Sequence, residues 1–269
     1  MIGKVATSFG PTLAWREAGE GRPVILLHGF PIDSRLYDAQ MSAAEVGRIG
    51  ARLIAVDFPG FGQSPLPEPA PDVITVEELA AAMADFITAH GLEAPIVGGV
   101  AIGGYVAIEL AARRPDLVGG LFLMAPKPAP DAPAMADARE ETAQLALRSG
   151  SAVVADELHA KPLGPQADGA VKEKMRSMIA DADPRGIAAL IRGIARRPDP
   201  AVVMPLITAR TLVIAGETDP FSKLKDVKRV ATIMPNASLV VLKGVGHMAP
   251  IESPISVTNA LASFVRRAA

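Results

Sequence analysis

Cysteine is absent from the 269 residues, which excludes disulfides, thiolate metal sites and a cysteine nucleophile. Excess charge is missing as well. Lys and Arg total 27 against 29 Asp and Glu, so the formal net charge is -2. That balance gives no electrostatic reason to expect nucleic acid or an anionic membrane as a partner. The opening MIGKVATSFGPTLAWREAGE lacks the apolar core of a signal peptide. No apolar run approaches the ~18 residues of a membrane span. The expectation is a soluble cytoplasmic protein. Aromatic residues make up only 4% of the chain, which leaves few stacking partners for any ligand.

The chain is long enough for one large α/β domain with a small insert. Short apolar runs alternate with amphipathic stretches in the first half, as βα units do. Pro23 to Leu27, Arg52 to Val56, Ala94 to Val100 and Leu121 to Met124 read as buried strands. Thr211 to Ala215 and Ser238 to Leu242 add two near the end, and Lys4 to Phe9 with Leu13 to Glu17 read as an antiparallel edge. Thr75 with Glu78 forms a capping-box pattern ahead of Leu79, Met83, Phe86 and Ile87, and Gly91 is placed to end that helix. Ser253-Pro254 opens a closing helix that buries Val257, Leu261 and Phe264.

Residues 126–200 break the alternation. Proline-rich stretches mark both ends, and the pattern between them is helical, with Asp183-Pro184 as a clear helix start. The expected division is a core of residues 1–125 and 201–269 with a helical cap at 126–200. Extra helices packed on one face of the sheet are the alternative.

Open parallel sheets place their sites at the C-terminal ends of the strands. Gly99-Val100-Ala101-Ile102-Gly103 lies between a buried strand and a helix, the context of a nucleophile elbow. Such a turn strains its central residue and requires small neighbours two positions away on each side. His28-Gly29-Phe30-Pro31 ends an earlier strand. Its Phe30 N–H could pair with that of Ile102 as an oxyanion hole, whereas His28 reads as a tether between loops. Asp219 and His247 end two later strands, and a carboxylate beside an imidazole is what a general base and its orienting acid require. Taken singly, Asp219 before Pro220 reads equally well as a helix N-cap, and His247 as a loop histidine bonded to backbone. The order of elbow, acid and histidine argues against coincidence.

These residues, with Asp57-Phe58-Pro59-Gly60-Phe61-Gly62 and with Glu252 after Gly246-His247, resemble the α/β-hydrolase superfamily. The likeness is to its small bacterial esterase and lactonase-like members with a helical cap. It implies an eight-stranded, mostly parallel sheet flanked by helices. It also implies Asp219 as the triad acid, His247 as the base, and Phe30 and Ile102 as oxyanion donors. A small-molecule ester or lactone is the implied substrate, and neither a metal nor an organic cofactor is implied. Tyr37, Phe221 and Met248 are the expected substrate contacts. Lys127 and His159 could touch a polar substrate group, but solvated surface is the favoured reading for both.

The chain departs from that family at one decisive place. Ala101 stands where serine is expected. Either a deliberate Ser→Ala change has disabled the enzyme, or this is a natural pseudoenzyme that keeps its pocket for binding. The intact Asp219, His247 and flanking glycines favour the first. A third route has His247 act directly as a base without a covalent intermediate, as in lyase or cofactor-free oxygenase chemistry.

Overall fold

The computed structural model describes residues 2–6 and 12–268. The chain opens with β1 (Ile2–Ala6), β2 (Thr12–Ala18) and β3 (Arg22–Leu27), then α1 (Asp38–Glu45), β4 (Ala51–Val56) and α2 (Val76–Ala89). Next come β5 (Ile96–Val100), α3 (Ile102–Arg113) and β6 (Gly120–Met124). Four consecutive helices follow: α4 (Pro133–Ser149), α5 (Ser151–Leu158), α6 (Gly169–Ala180) and α7 (Pro184–Ala195). The sheet resumes with β7 (Thr211–Gly216), α8 (Leu224–Ile233) and β8 (Ala237–Leu242), and the chain closes with α9 (Ala249–Glu252) and α10 (Pro254–Ala268). Of the edge strand read to Phe9, the described part is Ile2–Ala6, and residues 7–9 lie outside the described residues.

One sheet of eight strands runs in the order β1-β2-β4-β3-β5-β6-β7-β8. β1 and β2 pair antiparallel, as do β2 and β4, and every later pairing is parallel. The apolar runs explain the layout. β5, β6 and β7 are buried along their whole length, so both faces of the sheet are covered there. β8 is the far edge and remains half-exposed. Strand order reverses direction between β3 and β5, and a crevice opens at the C-terminal ends of the strands at such a switch point. The two segments leaving it are Gly29-Phe30 after β3 and Ala101 after β5.

Local signals set the helix ends. Thr75 Oγ1 accepts from the Glu78 N–H while the Glu78 carboxylate accepts from the Thr75 N–H, closing the capping box of α2. Gly91 follows that helix with φ +58°. Asp183 caps α7 through the Arg185 N–H, with Pro184 in the first turn. Apolar Val257, Leu261 and Phe264 anchor α10 in the core. Among the described residues no helix is long and apolar enough to cross a membrane.

Within the insert, α4 packs along α7 and α5 along α6. Met175, Met178, Ile179 and Leu190 are buried there, as expected of helices packing on one another.

Candidate active site

A single residue joins β5 to α3. Ala101 makes that turn at φ 49° and ψ -107°, a conformation that a side chain rarely adopts. The turn closes because its neighbours lack side chains. A Cβ on Gly99 would lie 1.9 Å from the Leu27 carbonyl oxygen, and one on Gly103 would lie 2.3 Å from the same atom. The β3 backbone therefore packs directly against both sides of the elbow.

Asp219 and His247 meet across the loops after β7 and β8. His247 Nδ1–H donates to Asp219 Oδ2 at 2.7 Å. The Asp219 side chain is fully buried. Its other oxygen accepts from the N–H groups of Phe221 and Ser222, both at 2.8 Å. Asp219 is not a helix N-cap, because α8 begins at Leu224 behind Lys223; one of its oxygens closes a turn and the other holds the imidazole. His247 Nε2 has no hydrogen-bond partner among the described residues.

The histidine loop is held from a direction that the sequence did not announce. The His247 N–H donates to the Pro162 carbonyl at 2.8 Å. Glu252 Oε2 accepts from Gly164 N–H at 2.7 Å and from Gly246 N–H at 2.9 Å, while its Oε1 accepts from Met248 N–H at 2.9 Å. One carboxylate thereby fastens the loop carrying His247 to the connection between α5 and α6. Glu252 stands five residues after His247, a spacing visible in the sequence; its three backbone partners were not.

His28 is a tether. Its Nδ1–H donates to the Gly29 carbonyl at 2.8 Å and its Nε2 accepts the Phe58 N–H at 2.9 Å, which joins the loops after β3 and β4. Complete burial holds its pKa below the ordinary 6.5, outweighing the opposing field of Asp57.

A cavity of about 290 Å³ opens in front of Ala101. Phe30, Ile102, Phe221, His247 and Met248 line it, as do Met135, Leu158, Ile191 and Ile194 from the insert. The N–H groups of Phe30 and Ile102 have no acceptor among the described residues. Tyr37 is a correction. Its ring is wholly buried, its hydroxyl donates to the Leu27 carbonyl at 2.8 Å, and it takes no part in the cavity wall. Burial drives its pKa far above the ordinary 10.0. An apolar neighbourhood recruits a tyrosine as readily as a pocket does, provided the hydroxyl finds an acceptor.

Lys127 corrects the reading in the other direction, because it is half-buried in the cavity wall and not on solvated surface. His159 lines no part of the cavity, and its Nδ1–H donates to the Ala155 carbonyl. Sequence reasoning missed Arg139 and Arg197 altogether, and both line the cavity. Arg197 Nη2 donates to Asp131 Oδ1 at 2.9 Å, and Arg139 pairs with the other oxygen of the same carboxylate. The Arg197 guanidinium also lies over the Tyr105 ring, 4.8 Å from its centre. No group of three His, Cys, Asp or Glu suited to a metal ion occurs among the described residues.

Comparison with known proteins identifies the fold. Residues 24–261 match the model of a family described as alpha/beta hydrolase. The chain belongs to that family. A structure titled as a thermophilic esterase from Thermogutta terrifontis with malate bound superposes with a TM-score of 0.92 at 32% identity, covering 100% of this chain and 99% of that one. The AB hydrolase superfamily protein YisY of Bacillus subtilis is 28% identical, over 94% of this chain and 95% of its own. An enol-lactonase from Burkholderia xenovorans LB400 shares the fold at TM-score 0.87 and 23% identity, covering 98% of this chain and 100% of its own. This α/β hydrolase shares its sheet-and-helix architecture with these structures.

Proposed function

We propose that this hydrolase is a carboxylic ester or lactone hydrolase of the serine type, held inactive because alanine occupies the nucleophile position. The observation that carries the reading is the buried Asp219–His247 pair beside a strained elbow. Two further features support it. The Phe30 and Ile102 N–H groups border the cavity without acceptors, as donors awaiting an oxyanion would. Residues 126–200 supply much of the opposite cavity wall, the part of a substrate-shaping cap.

With a serine hydroxyl at position 101, this reading gives an acyl-enzyme mechanism. His247 Nε2 takes the hydroxyl proton as the oxygen attacks the substrate carbonyl. Asp219 fixes the imidazole orientation and stabilises its positive charge. The carbonyl oxygen becomes an oxyanion held by Phe30 and Ile102, and the protonated His247 returns its proton to the departing alcohol. Water activated by His247 then cleaves the acyl-enzyme.

The strain at Ala101 argues for a recent loss of serine. A chain with no use for a side chain at φ 49° would relieve the cost with glycine. A pseudoenzyme that binds a small ligand, or direct base chemistry by His247, remains the competing reading, and one experiment separates them. Ala101→Ser should raise turnover of p-nitrophenyl esters or simple lactones by several orders of magnitude. In serine proteases, removing the nucleophile alone costs about 10⁶ in turnover. Equal activity in both forms would put the chemistry on His247 alone. Inactivity of both would leave a binding protein.

A further inference from the structure

The charged residues around the cavity all have one sign. Lys127, Arg139 and Arg197 line its insert side, Lys161 lies at its rim, and neither Asp nor Glu is among the lining residues. This is local, because the chain as a whole carries a net charge of -2. Asp131 is the one carboxylate paired with the cluster, and both its oxygens are engaged by Arg139 and Arg197. That leaves positive charge over. The Lys127 ammonium makes no ion pair or hydrogen bond among the described residues. Arg197, whose side chain is only 2% exposed, has its Nε–H buried without an acceptor. Its Nη1 and Nη2 groups also donate to the Ile194 and Ala129 carbonyls, so the unmet demand in the cluster lies on that Nε–H and on the Lys127 ammonium. Burial holds the Lys127 pKa below the ordinary 10.5, with Arg197 and Arg139 adding to the shift and Asp131 and Asp219 opposing it. An anion arriving beside it would relieve that tension.

We propose that Lys127, Arg139 and Arg197 form a carboxylate subsite, and that the substrate is a short ester or lactone carrying a free carboxylate. The inference rests on the esterase reading for the position of the reacting carbonyl at Ala101. Tyr105 sets the spacing. It lies one helical turn after Ala101, with its N–H bonded to the Ala101 carbonyl, and its ring lies under Arg197. Four residues of α3 rise about 6 Å, so only a few carbons separate ester from acid. A half-ester of a short dicarboxylic acid has this form. The Met135, Ile191 and Ile194 side chains would cover its methylene chain.

The test uses the chain as it stands, with monomethyl glutarate and dimethyl glutarate as probes in calorimetric titration. The half-ester should bind at least tenfold more tightly than the diester. Lys127→Met should reduce that ratio to near one, whereas Lys228→Met, on the exposed surface of α8, should leave it intact. Equal affinities, no measurable binding of the half-ester, or the same loss in both variants would overturn the subsite. Turnover of the two esters by the Ala101→Ser form separates this proposal from the one beneath it. Hydrolysis without preference for the half-ester overturns the subsite alone. Tight half-ester binding with no hydrolysis supports the subsite and removes the esterase.

Discussion

The two walls of the cavity are built by different means. On the sheet side, backbone geometry dictates the residues. The elbow exists because β3 packs against positions 99 and 103, and His247 is placed by hydrogen bonds that its ring and the loop N–H groups donate to the Asp219 and Glu252 carboxylates. On the insert side, side chains do the placing. Asp131 precedes α4, Arg139 lies within it and Arg197 follows α7, and the three meet only because α4 packs along α7. A wall made by backbone tolerates almost no change in a few positions. One made by a charge cluster tolerates change wherever the replacement leaves no charge stranded.

The sheet wall should therefore break more severely. Gly99→Ala places a methyl group 1.9 Å from the Leu27 carbonyl in the middle of the sheet, where neither strand can retreat. We expect a loss of more than about 4 kcal/mol, enough to remove the folded protein from a urea titration or from soluble expression. A variant with near-normal stability would mean that β3 and β5 can separate, and that backbone contact does not fix the elbow.

On the insert wall, Asp131→Asn keeps the shape and removes the charge. Arg197 and Arg139 are then left facing one another with Lys127 nearby. Breaking a buried pair in this way typically costs about 3–5 kcal/mol. Pairing Asp131→Leu with Arg197→Met should recover part of the loss, since the most deeply buried charge leaves with its partner and only the more exposed Arg139 is left without Asp131. The pH dependence carries the same information. Burial pushes the Asp131 pKa up, but Arg197 and Arg139 outweigh it and hold the carboxyl below the ordinary 3.8. Its folded value is lowered, so its stabilisation is complete above pH 3.8 and fades as pH falls through the folded value. Urea midpoints from pH 5 down to pH 2 should fall more steeply for the parent than for the Leu/Met pair.

This contrast also explains what could be read in the sequence. Strand ends are marked by apolar runs that stop at glycine, so Gly99, Gly103, Asp219 and His247 announce their places. The insert carries no such punctuation. Lys127, Arg139 and Arg197 are scattered over seventy residues, and each alone is indistinguishable from solvated surface. Tyr37 misled for the opposite reason. A tyrosine near His28-Gly29-Phe30 looks like a pocket residue until the Leu27 carbonyl is seen to take its hydroxyl. Glu252 lies between these cases, because its position relative to His247 is visible but its service to Gly164 depends on where the insert folds back.

The smallest expected effect bears on Ala101 itself and runs toward greater stability. A non-glycine residue held at φ 49° and ψ -107° costs about 1–3 kcal/mol. Ala101→Gly removes that cost and adds back about 0.5–1 kcal/mol of unfolded-state entropy. The net gain of about 1 kcal/mol should raise Tm by about 2–4 °C in a thermal melt. A lower Tm would mean that the packing of the methyl group against the core outweighs the turn. The elbow would then resemble the insert wall, held by side chains, and the contrast between the two walls would fail at the position where the chemistry is expected.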